Sequence, residues 1–351
     1  MSPGNGAPRS GRPRQADIAR LAGVSQATVS LVLSNNEVGM ALAQSTRERV
    51  LEAARRLGYV ADPAARRLVS RNNRLLGVHT FMATFPVDFR NSYYPFLVGV
   101  EEEAAAQGYD MLLFTGSEAT RPHGEAAGLN RLRLADGCVL IGRHAPKDEL
   151  VRLLDDGFPL VYVGRNDSVG TRLPYVGADY VRAAADVVAE LARLGHRRLV
   201  YVREPDQAIA SLDREEGVRL GLRETGIDGE VVLTDGGDLD QARLHGWLAD
   251  GATAFVVEAT DTQAALHALR SSVSAAGLRC PQDLSLALLG EEVNAPSGTP
   301  VLTGFAVPRR EMGRRAARML VELLAGDGGA GRQELLACPL AVGDTTGPPA
   351  R

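Results

Sequence analysis

The chain holds 351 residues, 45% hydrophobic and 23% charged, with a net charge of −4. That length predicts two or three folded units, and the hydrophobic share suffices for ordinary buried cores. Three scattered cysteines (Cys138, Cys280, Cys338) without metal-ligand spacing point to a reducing compartment and away from a disulfide framework. No run of about 18 apolar residues offers a membrane span. The opening MSPGNGAPRSGRPRQ has no apolar segment, so it does not read as a secretory signal and a soluble cytoplasmic protein is expected.

Charge is unevenly divided. Residues 1–74 carry 12 arginines against five acids, a balance of +7, which leaves −11 for the remainder. A basic head on an acidic body is expected where only the head meets a polyanion. Residues 1–13 are rich in Gly, Pro, Ser and Arg and read as a disordered basic tail.

Three short helices should follow. The first is Ala16–Ala22, with Gly23 as the turn. Ser25 suits the N-cap of the second. On a wheel at 100° per residue, Ser25, Thr28, Val29 and Val32 gather on one side. Gln26, Ala27, Ser30 and Leu31 gather opposite, an outer face of one amide, one hydroxyl and two aliphatic groups. The third helix opens on Ser45-Thr46-Arg47-Glu48, which fits a capping box, and Val50, Leu51, Ala54 and Leu57 form its apolar stripe. Asp62 and Pro63 can then start a helix over Pro63–Val69 that is too short to stand alone in water. It is either a linker or a helix formed on contact with a partner.

From Leu75 the rhythm becomes β-α. Apolar runs at 75–81, 109–114, 138–142 and 160–164 form one set, and runs at 197–202, 231–235, 254–259 and 284–290 form another. Helical stretches separate them, as at Phe96–Gln107, Lys147–Asp156, 180–194, 214–225, 240–250, 261–276 and Glu311–Ala325. This alternation predicts two doubly wound lobes of parallel sheet, with a ligand cleft outside the carboxyl ends of their strands.

Catalytic motifs are missing where they would be needed. Gly326-Asp327-Gly328-Gly329-Ala330-Gly331 fits a dinucleotide pattern but follows a helix instead of a strand. Gly23-Val24-Ser25-Gln26-Ala27 resembles a nucleophile elbow that has lost its last glycine, and it lies between two helices. The six histidines show no ligand spacing, and His196 reads as a helix-terminus residue. No metal, cofactor or enzymatic activity is expected.

The segments DIARLAGVSQATVSLVLSNN and STRERVLEAARRLGYVADPAARRLVSRNNRLLGV resemble the head of the lactose/galactose-repressor (LacI/GalR) family. Further marks are Asp179, Gly195-His196, Arg214-Glu215-Glu216-Gly217, Asp261, the 280–290 segment and the 299–324 segment, so the resemblance covers nearly the whole chain after residue 13. It implies an N-terminal all-α helix-turn-helix head with a hinge helix, joined to an α/β core like that of periplasmic binding proteins. The implied domains are 14–61 for DNA binding, 62–74 for the hinge and 75–351 for effector binding and dimerisation. Lobe 1 would hold about 75–174 plus 305–326, and lobe 2 about 175–304 plus 332–345.

The resemblance implies that Gln26, Ala27, Ser30 and Leu31 face bases in the major groove, while Ser25, Thr28, Ser30 and Arg47 meet phosphates. Leu31 stands where the family usually has an arginine. Ala65, Arg66 and Leu68 match the hinge helix, whose leucine wedges into the minor groove of operator DNA. Paired hinge helices require a homodimer on a near-palindromic site. In the cleft, Arg214 and Asp261 match positions that grip ligand hydroxyls or carboxylates. Tyr93, Tyr94 and Phe96 are candidates for an aromatic wall, and Arg143, Arg165, Tyr175 and Glu291 border strand ends. The implied function is a transcriptional regulator, most simply a repressor, controlled by a sugar or similar polar metabolite. A two-lobed solute-binding protein is the alternative, and the capped helices of the head distinguish the two.

Overall fold

The computed structural model describes residues 13–34, 42–59, 73–81, 93–114, 131–143, 145–292, 295, 298–327 and 331–350. It divides into two compact units, Met1–Asn73 and Arg74–Arg351. The hinge candidates Ala65, Arg66 and Leu68 lie outside the described residues, as do most of the basic tail and the loop at 35–41.

Among the described residues, the first unit has three helices: α1 (Gln15–Ala22), α2 (Gln26–Ser34) and α3 (Gln44–Arg56). Gly23 ends α1 at φ 66°, a conformation a residue with a Cβ adopts only at a cost. A small core joins the three helices through Ile18, Ala22, Val29, Val32, Val50, Ala53 and Ala54. The expected capping box at Ser45 is not formed. α3 begins one residue earlier, so Ser45 lies inside the first turn and the cap residue is Ala43, with no side-chain cap bond. Glu48 instead accepts from Gln44 Nε2 at 3.0 Å.

The second unit contains two parallel sheets. One has the order β11-β5-β4-β3-β1-β2, built from β1 (Leu75–Thr80), β2 (Asp110–Phe114), β3 (Gly137–Ile141), β4 (Leu160–Val163), β5 (Tyr175–Ala178) and β11 (Gln333–Leu336). The other has the order β7-β6-β8-β9, from β6 (Arg198–Arg203), β7 (Asp228–Leu233), β8 (Ala254–Glu258) and β9 (Ser285–Leu289). β10 (Gly304–Phe305) and β12 (Leu340–Ala341) form a short antiparallel pair. The strands are mostly buried along their length, as expected for sheets covered on both faces.

One boundary differs from the sequence expectation. Residues 175–178 and 333–336 belong to the first lobe: Tyr175 and Val176 pair with Tyr162 and Val163, and β11 pairs with β5. The chain crosses to the second sheet only after β5. A short apolar strand carries no local mark of which sheet it joins.

Helices α4 (Tyr94–Ala106), α5 (Lys147–Asp155) and α10 (Arg309–Ala325) accompany the first sheet, and α6 (Tyr180–Arg193), α7 (Ile209–Thr225), α8 (Gln241–Ala249) and α9 (Ala264–Ala275) the second. Two helix pairs approach unusually closely. A Cβ on Gly313 of α10 would lie 2.2 Å from the Phe96 carbonyl oxygen of α4, and one on Gly99 of α4 1.9 Å from that of Arg310. Likewise Gly217 of α7 lets the helix reach α6, where a Cβ would sit 2.3 Å from the Val181 carbonyl oxygen. Because the obstruction is backbone, a Gly313→Val protein must separate α4 from α10. We expect a loss of about 3 kcal/mol in urea denaturation. A loss under about 0.5 kcal/mol, the range of a neutral surface change, would contradict the close packing.

His196 is not merely a helix-terminus residue. It is buried between α6 and β6, with Nδ1 2.8 Å from Thr253 Oγ1 and Nε2 2.9 Å from Ser285 Oγ and 3.0 Å from the Gly347 carbonyl oxygen. The ring ties the C-terminal segment to the second sheet, and its burial lowers its pKa from the ordinary histidine value. Gly326 closes α10 in the left-handed conformation, so the glycine-rich segment begins at a helix exit, and its residues 328–330 lie outside the described residues. Among the described residues, no helix is long and apolar enough to cross a membrane and no cluster of His, Cys, Asp and Glu suits a metal.

Candidate functional site

Two surfaces carry the candidate residues. On the head, Ser25 caps α2: its Oγ accepts from the Thr28 N–H at 3.1 Å, and the two hydroxyls lie 2.9 Å apart. Val29 and Val32 point into the small core at 0% and 6% exposure. That orientation leaves Ser25, Gln26 and Ala27 exposed, with Thr28, Ser30 and Leu31 half-buried. The exposed end of the helix is therefore its first turn, and Leu31 contributes less surface than the wheel implies. Arg47, in the first turn of α3, is half-buried.

In the second unit, a cleft opens between the lobes, outside the carboxyl ends of the strands. Of the nine effector candidates, seven line it: Tyr93, Phe96, Arg143, Arg165, Arg214, Asp261 and Glu291. Two do not. Tyr94 is 49% exposed on the outer side of the first turn of α4. Tyr175 is the first residue of β5, at the amino end of its strand, and is buried among Leu173, Tyr162 and Phe158 in the first-lobe core.

Arginines from the first lobe cross to acids of the second. Arg143, just beyond β3, bonds Asp206 through Nε at 3.2 Å and Ser211 Oγ through Nη2 at 2.8 Å. Its Nη2 also lies 3.7 Å from Glu258. Burial works against the Arg143 charge, but Asp206, Glu258 and Asp261 outweigh it and raise its pKa above the usual arginine value. Arg165, just beyond β4, forks onto both oxygens of Asp213 of α7. Burial pushes the Asp213 carboxyl above the ordinary aspartate range despite Arg165.

Arg214 lies wholly within the second lobe's wall. Its Nε donates to the Leu289 carbonyl and its Nη1 to the Ala210 carbonyl, each at 2.9 Å, and its guanidinium carbon sits 3.9 Å from the centroid of the Tyr180 ring. Tyr93, largely buried on the opposite wall, has its pKa pushed up to about 12 by that burial and by Asp261.

The sequence reading missed Tyr162, Tyr180, Asp213, Arg309 and Met312, which also line the cleft. Tyr162 lies near the carboxyl end of β4, and Asp213 directly precedes Arg214, so strand ends and neighbours of known candidates were the available signals. Arg309 pairs with Glu291, which no local pattern announces.

Comparison with known proteins agrees with this geometry. A family model described as a periplasmic binding protein-like domain matches residues 188–346. One described as bacterial regulatory proteins, lacI family, matches residues 16–62. The HTH-type transcriptional regulator GntR of Pseudomonas aeruginosa is 30% identical over 330 residues, covering 90% of each chain. CelR of Thermobifida fusca, another HTH-type transcriptional regulator, is 29% identical over 322 residues, covering 90% of this chain and 93% of that one. The HTH-type transcriptional repressor CytR of Escherichia coli is 29% identical over 339 residues, covering 94% and 95%. Among solved structures, the Lac repressor dimer bound to operator and an anti-inducer shares the fold with a TM-score of 0.73 at 19% identity, covering 96% of this chain and all of that one. A CelR–cellobiose complex does so with 0.63 at 24% identity, covering 95% and all. Conserved length, head motif and two-lobed core coincide, and the chain belongs to the lacI family of bacterial regulatory proteins: it is a DNA-binding transcriptional regulator, not an enzyme.

Proposed function

We propose that this regulator is a cytoplasmic repressor that holds a near-palindromic operator as a homodimer and answers to a small polar effector in the inter-lobe cleft. The observation that carries the reading is the cleft itself, where Arg143 and Arg165 of one lobe are bound to Asp206 and Asp213 of the other around an aromatic and polar lining. A ligand seated there touches both lobes, so it favours one arrangement of them over another, and a coupled change in operator affinity follows from that difference. Related complexes contain cellobiose in one case and operator with an anti-inducer in the other, which supports a sugar or comparable metabolite and a DNA site of the same kind.

On the head, Gln26 and Ala27 are the proposed base readers, with Ser30 and Leu31 beside them. Gln26 suits the paired donor and acceptor of an adenine edge, and Ala27 suits a thymine methyl. Ser25, Thr28 and Arg47 are proposed phosphate contacts. Ala65, Arg66 and Leu68 are proposed to enter the minor groove as a hinge helix, with Leu68 as the wedge.

Gel-shift against DNA upstream of the protein's own gene tests this reading. Sequence-specific retention at moderate salt is expected, and binding indifferent to sequence would sink it. A Leu68→Ala protein is expected to lose specific affinity at least tenfold while its effector affinity stays unchanged. Operator binding equal to wild type in that variant would remove Leu68 from the wedge role.

A further inference from the structure

Glu258 is the last residue of β8, and its side chain is 0% exposed. Its Oε1 accepts from the Ser211 hydroxyl of α7, while Oε2 is buried without a hydrogen-bond partner. Among the described residues, the guanidinium within ion-pair distance is that of Arg143, whose Nη2 lies 3.7 Å away. The same Nη2 donates to Ser211 Oγ at 2.8 Å, so a chain of donors runs from Arg143 through Ser211 to Glu258. Arg143 stands just beyond β3 of the first sheet, whereas Glu258 and Ser211 belong to the second lobe. A buried acid of one lobe thus takes its counter-charge from the other.

Each half is held by its own lobe. The Tyr162 hydroxyl of β4 donates to the Gly142 carbonyl, directly before Arg143. Across the cleft, Asp206 Oδ1 accepts from the Ala208 N–H at 2.9 Å, and buried Arg203 donates to the Asp206 carbonyl and to Glu215, each at 2.7 Å. Asp206 Oδ2 is left to accept from Arg143 Nε at 3.2 Å. The two acids that meet Arg143 differ in their alternatives. The Asp206 side chain is 22% exposed and turns to water if the guanidinium leaves. Glu258 has no such recourse while the lobes stay together. Removing one partner of a buried ion pair is far more disruptive than removing both, because the remaining charge stands uncompensated in the interior.

We infer that Glu258 makes lobe closure conditional on Arg143: it is a positioning residue that tolerates the closed arrangement only where that guanidinium is seated beside it, and so fixes the register in which the lobes meet. The inference concerns the lobe arrangement alone, and its consequence for operator affinity rests on the reading above.

The test is a distance measurement between the lobes of the full chain by double electron–electron resonance. Lys147→Cys and Asp235→Cys carry the nitroxides, since both positions are exposed and lie beyond the carboxyl ends of β3 and β7. Cys138 and Cys338 are buried, and Cys280→Ser removes the half-buried thiol. Dilution with unlabelled protein confines the signal to one protomer. Wild type is expected to show mainly one short distance. Arg143→Met should raise the ratio of long to short distances at least tenfold, and Glu258→Gln alone should not. Combining the two should lower the ratio at least fivefold from that of Arg143→Met, because no buried charge is left uncompensated and Arg165 still forks onto Asp213. A wild type dominated by the long distance, a smaller effect of Arg143→Met, an equal opening by Glu258→Gln, or a double variant as open as Arg143→Met would each overturn the inference. If Arg143→Met does not fold, the double variant decides: a folded double with the wild-type distance supports it, and a double that also fails to fold overturns it.

Discussion

A Val29→Asp protein is expected to lose operator binding by at least about 100-fold, which corresponds to about 2.7 kcal/mol, while residues 74–351 keep their wild-type melting transition. Val29 is wholly buried, and the core it belongs to comprises only a few residues from three short helices. A unit that small has little stability to lose. An unpaired carboxylate in place of Val29 costs several kcal/mol, either as a buried charge or through the protonation that avoids it. The same substitution cannot reach the cores of the two lobes, which form a separate compact unit. Calorimetry and fluorescence anisotropy on labelled operator would read the two effects independently. Retained specific binding with an intact head would show that α2 does not depend on this core for its shape.

The second large effect is expected at Arg214. Replacing it with alanine removes two charge-assisted bonds to the Leu289 and Ala210 carbonyls and the stacking on Tyr180. Those two bonds use two of the five guanidinium N–H groups, and the others remain for an effector; at about 1.5–3 kcal/mol per bond to a charged group, two of them on ligand oxygens correspond to a fall in effector affinity of about 100-fold or more. Operator affinity in the absence of effector is expected to stay within about threefold, because Arg214 belongs to the cleft wall and not to the head. Arg214→Lys keeps the charge but not the planar fork, and should recover only part of the loss. The measurement is titration of Arg214→Ala with whichever compound stabilises the wild type. Wild-type affinity there would exclude the arginine from ligand binding.

Much of this architecture could be read directly from residue pattern, for definite reasons. Continuous apolar runs such as Cys138–Ile141 and Ala254–Val257 mark strands buried on both faces. Arg143 and Arg165 were recognisable because they follow such runs at the end where α/β sheets bind ligands. Tyr175 shows the same rule read backwards: it begins its strand, and its ring is buried in the lobe's core and is not among the residues lining the cleft. Tyr94 failed by one residue of helical rotation, with Tyr93 and Phe96 on the wall and Tyr94 outside. The membership of β11 was hidden because Gln333–Leu336 is too short and mixed to stand out, and only pairing with β5 defines it. The partners Asp206 and Asp213, and Arg309 beside Glu291, were hidden because each ion pair joins residues apart in the chain.

The crossing pattern between the lobes also delays completion of the first sheet during synthesis until the strands of the second have been made. The strands of the second sheet are contiguous between residues 198 and 289, so they can assemble as soon as that stretch has left the ribosome. The first sheet begins at Leu75 but lacks its edge strand β11 until residue 336, and lacks α10, with its buried Met312, Ala316, Ala317, Met319 and Leu320, until residue 325. A nascent chain therefore carries the earlier-made lobe unfinished, its apolar face awaiting a helix encoded after the whole of the other lobe. Any chain released before that helix is made keeps a complete DNA-reading head attached to an exposed, sticky half-domain.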